Sequence, residues 1–148
     1  MAINVLQAAK YLAKESGWKL TRLELQKIIY LAHMVYLGKN KKPLVEGNFE
    51  AWQYGPVHRV LYEVVKESNS LIVDKSILDF VPNLDEKHEE EMFVLKKILD
   101  IFPPGSAAKL IAVSHWKSGA WIKHYDENKY NIIIPQKDIL KEYAARFD

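Results

Sequence analysis

Apolar residues recur at helical spacing through most of this chain, and capping residues mark where the runs begin. The clearest run starts at Thr21 and Glu24, a capping box in which each side chain can satisfy a backbone N–H at the helix start. Leu20 and Leu25 flank the box at staple spacing. Leu25, Ile28, Ile29, Ala32, Val35 and Tyr36 then form one helical face, which Gly38 ends. Ahead of it, Val5 to Glu15 predicts a first helix, capped by Asn4 and closed by Gly17.

The texture changes at Phe49-Glu50-Ala51-Trp52-Gln53-Tyr54, a short aromatic-rich segment that predicts a strand running into a Gly55-Pro56 turn. Proline suits a helix start, so Val57, Val60, Leu61, Val64 and Val65 predict the buried face of a third helix. Leu71 to Val73 is a candidate short strand. Asp85 can cap a fourth helix with Glu86, Glu89 and Glu90 at its positive end and Met92, Leu95, Leu99 and Phe102 as its core stripe. Pro103-Pro104-Gly105 stops it. Ser106 starts a short apolar helix through Val113, and Ser118 can cap another near Trp121. Asn131 to Ile134 predicts a second strand. Gln136 to Phe147 predicts a last helix with Ile139, Leu140, Tyr143 and Phe147 inward.

Helices gathered around few strands, without strand–helix alternation, predict a mainly α (α+β) fold. The expected form is a compact bundle of about six to seven helices with a small two- to three-stranded antiparallel sheet. No repeat or long linker interrupts residues 1–148, which are expected to form one folding unit. The composition, 49% hydrophobic and 27% charged, is that of a globular chain with enough apolar mass for its own core. There is no cysteine, which removes disulfides, thiolate nucleophiles and thiolate metal sites and suits a reducing cytosol. The first residues lack a signal-peptide core, and no uncharged apolar run nears the ~20 residues of a membrane span. A cytoplasmic protein is expected.

Net charge is only +2, and the one basic run, Lys39, Lys41 and Lys42, reads as a solvated turn, so nucleic acid is not an expected partner. Catalysis needs a constellation, and none is spaced for one: there is no phosphate loop, no serine elbow, and no histidine pair at helical metal spacing. His88 beside Glu89, Glu90 and Glu91 reads as a solvated helix face, because consecutive helical residues diverge. His115 and His124 have no nucleophile or cofactor to serve. No catalytic residue, metal or cofactor is expected, and the chain reads as non-enzymatic.

The aromatic residues are distributed less blandly. Phe49 and Ala51 share one side of the first strand, and Glu50, Trp52 and Tyr54 share the other. With Phe49 in the core, the second side presents two large aromatics and a carboxylate, a combination suited to protein binding. The alternative is that a helix covers that side and Glu50 is paired inside. Both stay open at this point.

Several blocks along the chain carry a resemblance. Leu25-Gln26-Lys27-Ile28-Ile29-Tyr30-Leu31-Ala32-His33 and, far more specifically, Phe49-Glu50-Ala51-Trp52-Gln53-Tyr54-Gly55-Pro56-Val57 resemble the Panacea antitoxin domain of bacteria and phages. Ser114-His115, Ala120-Trp121 and Ile134-Pro135 are similar to later elements of that Soc-type, phage-associated family, with Ala120 where many relatives have proline. The resemblance implies a mainly helical fold and an antitoxin of a type II-like system that binds a cognate protein toxin directly. On that reading the aromatic distribution makes Glu50, Trp52, Tyr54 and His58 the expected partner contacts, with His115, Trp116 and Trp121 as a second cluster. An adaptor delivering the toxin to a bacterial protease is the alternative, and homo-oligomerisation stays open. Some relatives add a DNA-binding segment; this chain leaves no room for one, so autoregulation through a helix-turn-helix is not expected.

Overall fold

The structure, a computed structural model, describes residues 2–68 and 70–147. Seven α-helices and a three-stranded antiparallel sheet make up these residues, mainly helical as the pattern predicts. Helix α1 (Val5–Glu15) is capped by the Asn4 side chain, and α2 (Arg22–Asn40) opens on the full Thr21–Glu24 capping box. Strands β1 (Phe49–Trp52) and β2 (Gly55–His58) form a hairpin, followed by α3 (Arg59–Val65). Helices α4 (Glu89–Ile101), α5 (Ala107–Ser114) and α6 (Ala120–His124) precede β3 (Ile133–Ile134) and α7 (Gln136–Phe147).

Helix α2 is the axis of the fold. Its sequence predicts one buried face, yet every residue from Glu24 to Met34 is buried, because α1, α4, α5, α7 and β2 surround it. Gln26, Lys27 and His33 are therefore carried inside with the apolar residues. The helix also runs through Gly38 and closes only at Lys41, in left-handed conformation. Gly38 is needed for another reason. A Cβ there would stand 2.1 Å from Cδ2 of Tyr143, so the α7 tyrosine lies directly on the glycine backbone. Gly38→Ala should lower stability by roughly 1–3 kcal/mol through overpacking, and Gly38→Ala with Tyr143→Ala should recover part of it. Urea unfolding of the four-member cycle measures this; strictly additive losses would contradict the contact.

The segment after Gly55 departs from its predicted form. Gly55 to His58 is a strand, with Glu50 opposite Val57 and Ala51 opposite Pro56. The strand order β2-β1-β3 leaves β2 at an edge. The Ala51 N–H bonds to Ile132 O on the far side, so Pro56 turns its nitrogen to the outer edge and no ladder bond is lost. Side chains of α2 cover that edge. Gln26 donates to His58 O and accepts from His58 N, and Lys27 Nζ donates to Pro56 O at 3.0 Å.

Smaller corrections follow from packing. Leu61 and Val65 are buried, but Val60 is exposed. Leu71 to Val73 makes only a single bridge, Thr21 to Ile72. Asp85 caps a 3-10 turn, Glu86–His88, one turn before α4. In the acidic run Glu89 and Glu90 are exposed while Glu91 is buried, so the face is not wholly solvated. Neither Ser106 nor Ser118 caps with its side chain; Gly119 holds the cap position of α6. Phe147 is exposed, because eight residues turn a helix about 80° away from the buried Ile139. Among the described residues no helix is long and apolar enough to cross a membrane.

Candidate partner-binding site

Phe49 anchors the hairpin. It is fully buried against Tyr30, His33 and His58, with ring centroids 5.2–5.4 Å away. Both histidines are held as neutral rings. His33 donates from Nε2 to Gln136 Oε1 at 2.8 Å and accepts from Val45 N–H at Nδ1, and burial lowers its pKa to about 4. His58 hydrogen-bonds Glu46 O at 2.7 Å, and burial depresses its pKa as well. His58 is 2% exposed, so as the molecule stands it presents no side chain to a partner. It braces the hairpin from within.

The opposite side of β1 combines both readings of its sequence. Glu50 is nearly buried and accepts a two-pronged contact from Arg59, Nε to Oε2 and Nη2 to Oε1, each at 3.1 Å. Trp52 Nε1 donates to the same carboxylate at 3.0 Å. Burial pushes the Glu50 pKa up, but the hydrogen bonds from Arg59 and Trp52, with the Arg59 charge, outweigh it and hold the pKa below its usual range. Arg59 also donates to Asn131 Oδ1 and lies over the Trp52 ring, 5.5 Å from its centroid. Tyr62 packs edge-on to the ring at 4.7 Å. Trp52 is thus fixed by three neighbours while staying only partly exposed, and Tyr54 at the hairpin tip is 62% exposed.

The second aromatic cluster meets the first. Trp121, 6% exposed, donates from Nε1 to Trp52 O at 2.6 Å, and its ring is stacked between His115 at 3.9 Å and Tyr125 at 4.9 Å. Trp116 stands apart from this stack, covered by the Arg146 guanidinium at 4.4 Å. Glu142 of α7 holds the α5–α6 turn from below. It accepts from Ala120 N at 2.8 Å, Tyr30 Oη at 3.2 Å and Arg146 Nε at 2.8 Å. Gly119 leaves room for that carboxylate, since a Cβ would come within 2.9 Å of Oε1.

Concavities flank Trp52 on both sides. One, of about 460 Å³, is lined by Arg59, Tyr125, Asp126, Lys129 and Tyr130 among others. The other, of about 370 Å³, lies between α2, the hairpin and α3. Among the described residues no group of three histidine, aspartate or glutamate side chains is placed to hold a metal ion.

Arg59, Tyr62, Lys27 and Glu142 are site residues that the sequence reading passes over. Only Arg59 left a usable trace. Once β2 is paired with Glu50 opposite Val57, Arg59 falls two positions on, within diagonal reach of the carboxylate.

Fold and site together define a helical domain that carries a braced aromatic hairpin at its surface. Residues 25–122 match the antitoxin SocA-like Panacea domain, and the chain belongs to that family. It is similar to Antitoxin SocA of Caulobacter vibrioides (strain NA1000 / CB15N), 34% identical over an alignment of 113 positions that covers 69% of this chain. The same alignment spans 58% of that relative's length. No solved structure matches the chain. The matched residues include the helix block, the hairpin block and the Trp121 element; Ile134-Pro135 lies beyond them.

Proposed function

We propose that this chain is a non-enzymatic antitoxin that neutralises a cognate protein toxin by binding it through the hairpin surface around Trp52 and Tyr54. Family membership supports the antitoxin role, and one structural observation supports the surface: Trp52 is braced by Arg59, Tyr62 and Glu50 while part of it stays exposed. Aromatic anchors whose rotamers are fixed before contact lose little entropy on binding, and such residues dominate interface energies. Silencing a toxin at low copy number calls for nanomolar affinity, about 12 kcal/mol. Occupancy of the toxin, not turnover, then sets the effect.

The adjacent reading frame supplies the candidate toxin, expressed alone and with this chain. Trp52→Ala should weaken the complex by at least about 2 kcal/mol, roughly 30-fold, and Tyr54→Ala by less, because its ring is not pre-fixed. Both variants should keep wild-type circular dichroism. Folded variants that still restore growth and bind with unchanged affinity would remove the hairpin from the interface.

A further inference from the structure

The two outer edges of the sheet are treated differently. At β2 the side chains of Gln26 and Lys27 bond to the outward main-chain groups of His58 and Pro56. No described residue does the same at β3. The register pairs Phe49 with Ile134 and Glu50 with Ile133, and the Ala51 N–H bonds to Ile132 O. Bonded pairs alternate along an antiparallel ladder, so Ile132 and Ile134 turn their main-chain groups to β1 and Ile133 turns its N–H and C=O outward. Neither of those two groups has a hydrogen-bond partner among the described residues. The edge is short and held in shape. Asn131, in left-handed conformation at φ +59°, is bound by Arg59 on one side of it, and Pro135, which has no N–H, closes the other. The Ile133 side chain, 50% exposed, lies on the same sheet face as Glu50 and Trp52.

We infer that β3 is a docking edge for an extended segment of the protein partner, which adds a strand beside Ile133 and continues the contact surface that starts at Trp52. A donor and an acceptor set side by side in strand geometry are what another extended main chain pairs with. A partner residue opposite Ile133 places its side chain on the Trp52 face, where a β-branched or aromatic group packs against the exposed isoleucine. The edge is already extended in the free chain, so pairing orders little of it. The proposal rests on the reading that the Trp52 surface binds a protein toxin, and the sheet joins the two regions: Ile133, Glu50 and Trp52 share one face.

Amide hydrogen exchange of the full chain, alone and with the product of the adjacent reading frame, tests this. In the free chain the Ile133 amide should exchange near the rate of an unstructured peptide, while the Ile134 amide, turned to β1, is protected. In the complex exchange at Ile133 should slow by about 100-fold or more. Ile133→Pro removes an outward N–H and no ladder bond, so it should bind roughly tenfold more weakly than Ile133→Ala, both with wild-type circular dichroism. The exchange measurement decides even where the proline variant does not fold. An Ile133 amide already protected in the free chain overturns the proposal, and protection that grows with chain concentration assigns the edge to a second copy instead. An amide that stays open in a complex weakened by Trp52→Ala also overturns it and leaves the hairpin reading standing. A protected amide in a complex indifferent to Trp52→Ala keeps the edge and removes the hairpin. Two proteins that form no complex sink both.

Discussion

Glu142→Ala should lower folding stability by about 3–5 kcal/mol, a fall in melting temperature of roughly 10–15 °C for a chain of this size. The carboxylate is 2% exposed and serves three elements at once: Tyr30 on α2, the Ala120 N–H at the start of α6, and Arg146 one turn along α7. Removing it leaves a buried hydroxyl and a backbone N–H without partners, and a guanidinium whose charge was matched in a largely desolvated position. The loss should not stay local. Ala120 leads directly into Trp121, whose indole bonds to Trp52 O, so the stack of His115, Trp121 and Tyr125 loosens with it. Glu142→Gln, which keeps the acceptor but not the charge, should cost clearly less. Chemical unfolding of both variants decides; a loss below about 1 kcal/mol for alanine would mean that the turn is held by packing alone.

Lys27→Met should stabilise the protein below neutral pH and remove most of a rise in stability between pH 7 and about 9.5. Burial lowers the Lys27 pKa to about 7, against an ordinary value near 10.5 in the unfolded chain. Below pH 7 the amine is charged in both states, and the fold carries an ammonium without a carboxylate. From pH 7 upward the folded state gives up that proton while the unfolded state keeps it, so unfolding takes up a proton and stability climbs by about 3 kcal/mol by pH 9.5. The titratable neighbour facing it is His115, across the α5–α6 turn, whose own pKa is lowered first by burial and then by the Lys27 charge. Tyr30 works in the opposite sense above pH 10, since burial and Glu142 raise its pKa. His33 adds to the acid side: held to about 4 by burial, it withdraws stability as pH falls from about 6.5 towards 4. Unfolding free energies from pH 5 to 9.5 should therefore rise along the whole range in the wild type and flatten above pH 7 in Lys27→Met. A parallel rise in both proteins would refute the assignment to Lys27.

Sequence alone determined the features that depend on neighbours a few residues apart. The capping box at Thr21 and Glu24, the Asn4 cap and the strand alternation placing Phe49 and Ala51 inward are such local facts, fixed by helix and strand periods. The family resemblance, too, lay in contiguous blocks. Tertiary structure decided what required partners distant along the chain. Pro56 is acceptable at a helix start and on a sheet edge alike; Gln26, Lys27 and the β1 ladder, about thirty residues or fewer away, chose the edge. His58 went inside because β2 carries it against Phe49 and under the Glu46 carbonyl. Glu50 could not be read as paired or free until β2 placed Arg59 beside it, and nothing local ties Trp121 to Trp52, or Tyr30 to Glu142, 112 residues on. Periodicity states which side of an element is apolar. It does not state which other element will cover that side, and the charges that end up inside are chosen by that second fact.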